Sequence, residues 1–343
     1  MAFWTLSEKG KAMQRLPELP FQEREGWTRV KVAGCGLCHT DLGFIYTEVP
    51  TRHPLPLVLG HEIAGTVMEG PLAGRQVVVP AVIACGECAP CKAGLPRICS
   101  RQLMPGNDIH GGFGPWIQVP ERALIPLPRE VDATTLARLS VVADAITTPL
   151  QAIENVGLAA GQLAIVIGCG GVGTYTALLA AASGAHVAAL DISEEKLAAL
   201  GRLGIRHTLH TAGRSFKEIK EWFKTTGAAE GWPAFGTRIF ETSGSRPGQE
   251  LAFGLMGPAA QVAIVGFTLD KVEVRLSNLM AFDARLIGNW GASAQIYPAA
   301  IDLALSGALH LEQTTELVPM EQLADTVERV HHQPVTRRIV FTP

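Results

Sequence analysis

The stretch that most restricts the fold runs from residue 162 to residue 191. Gln162-Leu-Ala-Ile-Val-Ile167 is a continuous apolar run, followed at once by Gly168-Cys-Gly170-Gly171-Val172-Gly173 and then by an alanine- and leucine-rich helical pattern over Thr174–Ser183. An unbroken apolar run fits a strand buried on both faces, as in a parallel sheet. After Gly184 a second such run, His186-Val-Ala-Ala-Leu190, ends on Asp191, 23 residues beyond Gly168. A lone G-x-G-x-x-G is weak. Preceded by a strand, opening a helix and answered by an acid at this distance, it predicts a dinucleotide site. The glycines let the backbone turn and approach a pyrophosphate at the helix N-terminus. Asp191 can accept hydrogen bonds from ribose hydroxyls and repels a 2′-phosphate, so NAD(H) is expected over NADP(H). The bland alternative is a glycine turn used only for helix–strand packing.

The αβ rhythm continues through Glu194–Leu203, Ser215–Thr225, Arg238–Thr242, Gln249–Met256 and Gln261–Gly266. The texture before about Thr134 is different. Residues 26–33 alternate apolar and polar, and short strands are predicted at Ile63–Met68, Gln76–Pro80 and Trp116–Val119, separated by frequent Gly and Pro. A small β-rich domain and an α/β domain are therefore expected in a chain of 343 residues, which is long for one core. A helix at Pro298–Leu305 and a strand at Arg338–Phe341 are expected to return to the first domain. The predicted boundaries are 1–144, 145–290 and 291–343.

Charge is 18% of the composition and the net charge is −3, without the basic excess that nucleic acid or an anionic membrane would call for. No apolar run approaches the roughly 20 residues of a membrane span. Met1-Ala2-Phe3-Trp4-Thr5 lacks the layout of a signal peptide, so the chain reads as cytoplasmic. Seven cysteines, an odd number, then favour metal binding over a disulfide framework. Cys85-Gly-Glu-Cys88-Ala-Pro-Cys91, with Cys99 after seven more residues, fits one closed tetrahedral Cys₄ zinc site of the structural kind. An iron–sulfur cluster is the weaker rival. Cys38, in Gly34-Cys-Gly-Leu-Cys-His-Thr-Asp41, and His61, in Gly60-His-Glu62, form a candidate pair for a second zinc. A catalytic zinc needs three protein ligands and one open position.

A cysteine–histidine pair, a Cys₄ lobe and a dinucleotide fold, in this order, resemble the zinc-containing medium-chain dehydrogenase/reductase (alcohol dehydrogenase) superfamily along essentially the whole chain. The resemblance implies an α/β protein: a GroES-like β-rich catalytic domain plus a Rossmann doubly wound parallel sheet. It implies that Cys38 and His61 ligate the catalytic zinc and that Thr40 hydrogen-bonds a substrate oxygen. It places His39 near the cofactor pyrophosphate, Asp41 behind His61, and Glu62 behind the metal or as an alternative ligand. Lys196 would join Asp191 at the adenosine ribose. Cys85, Cys88, Cys91 and Cys99 match the structural lobe. Where many relatives supply a third cysteine, this chain reads Ala143-Asp144-Ala145-Ile146-Thr147-Thr148, which looks like a carboxylate-ligand variant with Asp144 as third ligand. A register one residue off would put Ala143 in that slot. Gly43 stands where many alcohol dehydrogenases place a proton-relay histidine.

Three stretches narrow the match: Arg101–Phe113, Ser140–Pro149 and Asp270–Phe282. All look like the 6-hydroxycyclohex-1-ene-1-carbonyl-CoA dehydrogenases. Shorter loops around Glu69–Gly74 and before Val131, together with Ala292-Ser-Ala-Gln295, tilt the resemblance to the related reductases that turn 3-methylcrotonyl-CoA into isovaleryl-CoA. The expected partners are a small acyl-CoA and further copies of the chain, as a homodimer or homotetramer joined at the Rossmann edge strands. A non-catalytic dinucleotide-binding protein is the remote alternative, opposed by the joint presence of Cys38, Thr40, His61 and Asp144.

Overall fold

The computed structural model describes residues 2–19, 24–47 and 49–343, so Met1 of the N-terminal reading lies outside the described residues. The chain divides into two compact units. One holds the residues up to Thr147 together with Gly291–Pro343, and the other is Thr148–Trp290.

The second unit is built on six parallel strands, β1 (Leu163–Ile167), β2 (His186–Asp191), β3 (His207–His210), β4 (Arg238–Glu241), β5 (Gln261–Ile264) and β6 (Arg285–Gly288). Their order across the sheet is β3-β2-β1-β4-β5-β6. The order reverses beside β1, and in open parallel sheets the crevice at such a reversal receives the ligand. Every residue of β1 is buried, as its unbroken apolar run requires. Ile165, Ile167, Leu190, Ile239 and Val262 form the heart of this unit's core. The helix after the glycines starts at Gly171, three residues before the alanine-rich pattern makes it legible. Glycine is a poor helix former, which hides that first turn from a propensity reading. Contact requires it here, because a Cβ on Gly173 would lie 1.8 Å from the Gly168 carbonyl oxygen.

The first unit centres on the ten-residue strand Trp27–Gly36. It pairs antiparallel with Arg338–Thr342, Glu62–Val67 and Trp116–Pro120 within a seven-stranded sheet. Val30, Ile63, Phe113, Ile117 and Phe341 pack in its core. The register with Glu62–Val67 shifts between Val32 and Gly34. A Cβ on Gly34 would meet the Ala137 carbonyl oxygen at 2.4 Å, so this glycine lets the segment leading to Asp144 lie directly on the strand. A smaller sheet of Gln14–Leu16, Phe3–Leu6 and Leu57–Val58, and the helix His39–Tyr46, were not expected from the sequence. Among the described residues no helix is long and apolar enough to cross a membrane.

Candidate active site

Asp41 organises the first cluster. Its Oδ2 accepts from the backbone N–H of Cys38 at 2.9 Å, which fixes the start of the helix His39–Tyr46. Its Oδ1 accepts from the backbone N–H of Gly60 at 3.0 Å, immediately before His61. One fully buried carboxylate thus ties together the two backbone segments that carry the cysteine and the histidine. Cys38 Sγ then lies 3.7 Å from Asp144 Oδ2, and His61 Nε2 lies 3.6 Å from the same oxygen. Together with Glu62, these residues offer donor atoms that all lie within 4.8 Å of one another. Ligands at zinc's bond lengths stand about 3.3–3.8 Å apart on a tetrahedron, so the S, N and O atoms fit a shared zinc. The structure turns Asp144, and not Ala143, toward Cys38 and His61.

The charge balance also fits a cation. Burial opposes a charged His61, but Asp41 and Asp144 outweigh it and hold its protonation well above the usual range. Among the described residues His61 Nδ1 has no hydrogen-bond partner, and it faces Asp41 Oδ1 at 3.6 Å. That carboxylate behind the imidazole is the arrangement that orients a metal-ligating histidine. Thr40 is half-buried, with its hydroxyl 3.6 Å from Cys38 Sγ, and His39 is exposed at the first helical position.

Glu62 is held differently. Its Oε2 accepts from Arg338 Nε at 3.0 Å, and its Oε1 accepts from Arg338 Nη2 and from the Ala145 N–H. Burial pushes its carboxyl up, and Arg338 pulls it back down. Sequence reasoning missed Arg338. The second arginine of Arg337-Arg338, standing at the head of the apolar strand Arg338-Ile-Val-Phe341, was the available signal, because arginine is rarely buried unless paired.

In the cysteine lobe, Cys88 Sγ lies 3.4 Å from Cys91 Sγ and 3.6 Å from Cys99 Sγ. The edge of a Zn–S₄ tetrahedron is about 3.8 Å. Cys85 Sγ accepts from the N–H groups of Glu87 and Cys88, and Cys99 Sγ accepts from those of Cys85 and Arg101. Backbone donors aimed at sulfur favour a thiolate at Cys88, whose thiol the Cys91 amide helps hold down to about 5, whereas burial and the neighbouring Cys88 push the Cys91 thiol up to about 12.

In the second unit, Gly168 (φ +90°) turns the chain out of β1, and Gly170 caps the helix Gly171–Ala182. A Cβ on Gly170 would meet nothing within 4 Å, which leaves open space beside the N–H groups of Gly171, Val172 and Gly173 at the helix start. Asp191 Oδ2 accepts from Cys169 N–H at 2.6 Å and its Oδ1 from Ser193 N–H at 2.8 Å. Both oxygens are thus held in place at the end of β2. Half-buried Lys196 follows one turn later, its N–H donating to Ser193 Oγ. Thr242, read in the sequence only as the end of a strand, donates its hydroxyl to the carbonyls of Ile167 and Gly168 and supports the glycine turn from the end of β4.

Two known families match stretches of this chain. Residues 24–129 match the family described as Alcohol dehydrogenase GroES-like domain, and residues 171–306 match the one described as Zinc-binding dehydrogenase. An alcohol dehydrogenase of Geobacillus stearothermophilus is 28% identical over 330 residues, covering 92% of this chain and 91% of the relative. The crystal structure of galactitol-1-phosphate dehydrogenase from Escherichia coli superposes with a TM-score of 0.90 at 25% identity, over 100% of both chains. The alcohol dehydrogenase of Aeropyrum pernix gives 0.88 at 25% identity, again over 100% of both.

Proposed function

This chain belongs to the zinc-type medium-chain alcohol dehydrogenase family, and from that premise we propose that it transfers hydride between NAD(H) and a short α,β-unsaturated acyl-CoA. The favoured direction is reduction of 3-methylcrotonyl-CoA to isovaleryl-CoA, in which a hydride joins the β-carbon and a proton the α-carbon. One observation carries the choice of substrate class. Two of the three stretches that resemble acyl-CoA enzymes lie at the candidate metal centre. Ser140–Pro149 contains Asp144. Arg101–Phe113 wraps the segment leading into His61, with Gly111, Gly112 and Phe113 donating backbone N–H groups to the carbonyls of Val58, Gly60 and Leu59.

Cys38, His61 and Asp144 hold the catalytic zinc, and Cys85, Cys88, Cys91 and Cys99 hold the structural one. When bound, zinc supplies a Lewis acid for the substrate oxygen and the nicotinamide supplies or takes the hydride. Replacing a second thiolate by a carboxylate puts less thiolate charge on the metal and strengthens that acid. Thr40 donates its hydroxyl to the substrate oxygen. With Gly43 in place of a relay histidine, protons move through Thr40 or water. The glycine turn and the N–H groups at the start of Gly171–Ala182 take the pyrophosphate. Asp191, beside Lys196, takes the ribose hydroxyls, and His39 contributes to the pyrophosphate contact.

A second reading, oxidation of a carbinol, is favoured by the names of the relatives, alcohol dehydrogenase and galactitol-1-phosphate dehydrogenase. A paired assay decides. NADH oxidation with 3-methylcrotonyl-CoA is run beside NAD⁺ reduction with 6-hydroxycyclohex-1-ene-1-carbonyl-CoA and with a panel of free alcohols and polyols. Turnover of the enoyl thioester supports the reading. Turnover of the cyclic alcohol alone overturns the direction, and turnover of free alcohols alone overturns the thioester.

We also propose a homodimer. β6 is one of the two outermost strands of its sheet, and Met280, Leu286 and Trp290 nearby along the chain expose large apolar surfaces. An open strand edge with exposed apolar side chains favours pairing with a second copy.

A further inference from the structure

We propose that Tyr297 is a positioning residue for Asp144, acting through the carbonyl of Ala143. The inference rests on the reading of Asp144 as third zinc ligand. Asp144 has φ −142° and ψ −59°, neither helical nor extended, so its direction depends on what holds its two neighbours. On one side the Ala145 N–H donates to Glu62 Oε1 at 3.1 Å, and Glu62 is fixed in turn by Arg338. On the other side the Ala143 carbonyl accepts from Tyr297 Oη at 2.6 Å, with Thr147 Oγ1 at 3.2 Å and the Ala81 N–H at 3.4 Å as longer partners.

Tyr297 comes from the helix Tyr297–Leu305, 154 residues away in sequence, and is fully buried. Its hydroxyl also accepts from the Ala81 N–H at 3.2 Å. It therefore bridges Ala81 to the residue before Asp144. Burial pushes the phenol's pKa up, so it stays a hydrogen-bond donor at any working pH. A buried tyrosine needs a partner for its hydroxyl, and here that partner is the backbone beside a metal ligand. Removing the hydroxyl leaves the carbonyl with only its longer donors and frees the Asp144 carboxylate to leave the position shared with Cys38 and His61.

The test uses the zinc-loaded full chain and counts bound zinc against increasing chelator. Tyr297→Phe is expected to give up one zinc at about 10-fold lower chelator than the wild type, the scale typical of groups that orient metal ligands, while the second zinc is unaffected. With Co²⁺ in the catalytic position, its visible ligand-field bands are expected to shift in the same variant. A general loss of packing would move both zincs and the melting temperature together. Asp144→Ala is run beside it. If Asp144→Ala keeps both zincs, the ligand reading itself fails. If Asp144→Ala loses one and Tyr297→Phe holds both like the wild type with an unchanged Co²⁺ spectrum, the ligand reading stands and the role of Tyr297 is overturned. If Tyr297→Phe does not fold, a fluorotyrosine placed at position 297 of the zinc-loaded full chain alters the donor strength of the same hydroxyl without removing it, and unaltered zinc retention with an unshifted Co²⁺ spectrum overturns the proposal.

Discussion

Replacing Arg338 with methionine leaves Glu62 buried beside Cys38, His61 and Asp144 without its guanidinium. Removing one partner of a buried ion pair typically costs about 3–5 kcal/mol, because the other charge is stranded. Arg338→Met is therefore expected to lower the unfolding free energy by about that amount in a urea titration, and the double variant with Glu62→Gln to recover part of it. A loss below about 1 kcal/mol would show that the pair is not what secures this strand. Asp191 gives a second prediction. Asp191→Asn keeps an acceptor for one of the two amides but removes the charge that repels a 2′-phosphate. The preference for NAD⁺ over NADP⁺, read as a ratio of kcat/KM, should fall by about 10- to 100-fold, the worth of a hydrogen bond to a charged group. An unchanged ratio would place cofactor discrimination elsewhere. What the sequence revealed at this scale followed chain distance. Cys38 and His61 stood out through their flanking glycines and acids, whereas Asp144, 106 residues beyond Cys38, was identified through resemblance alone. Tyr297 carried no signal, since a tyrosine opening an apolar helix reads as core.

The elements divide along the same line. The Cys₄ lobe and the strand–turn–helix around Gly168–Gly173 are local, so spacing and periodicity display them in the sequence. The helix His39–Tyr46 has only Leu42 and Ile45 at helical spacing within eight residues, too short a run to show a period, and its first turn is defined by Asp41 accepting from Cys38. The sheet of Gln14–Leu16, Phe3–Leu6 and Leu57–Val58 pairs strands of two to four residues, one pair of them far apart in the chain, and leaves no periodic trace. The lobe also makes its own prediction. Cys88 has a thiol lowered to about 5, well under the ordinary value of roughly 8.5. Its thiolate is thus present above about pH 5 and is lost as pH falls through that value, the stabilisation this gives being full above the ordinary thiol value. Zinc release from the lobe, followed with a colorimetric chelator, should rise sharply below about pH 5, and release already complete near pH 7 would contradict it. Cys88→Ser should lose this one zinc and expose residues 85–99 to proteolysis while NAD(H) still protects the other unit.

At the scale of the molecule, the doubly wound order of the second unit and the β-rich first unit were legible because their hydrophobic patterns differ in period. The pairing of Arg338–Thr342 with Trp27–Gly36 joins the two ends of the sequence and was expected only from a lone strand pattern near the C-terminus. A homodimer formed at β6 predicts that Leu286→Glu with Met280→Glu halves the mass seen in sedimentation without altering zinc content. An unchanged mass would move the interface elsewhere. The central claim is that one zinc held by Cys38, His61 and Asp144 supports hydride transfer while the other zinc holds the fold. Its most direct test counts zinc and measures NADH-coupled turnover of 3-methylcrotonyl-CoA in the same samples of wild type and Asp144→Ala. Two zincs and turnover are expected in the wild type, against one zinc, an intact fold and turnover lower by at least about 100-fold in the variant. Two zincs and undiminished turnover in Asp144→Ala would contradict it.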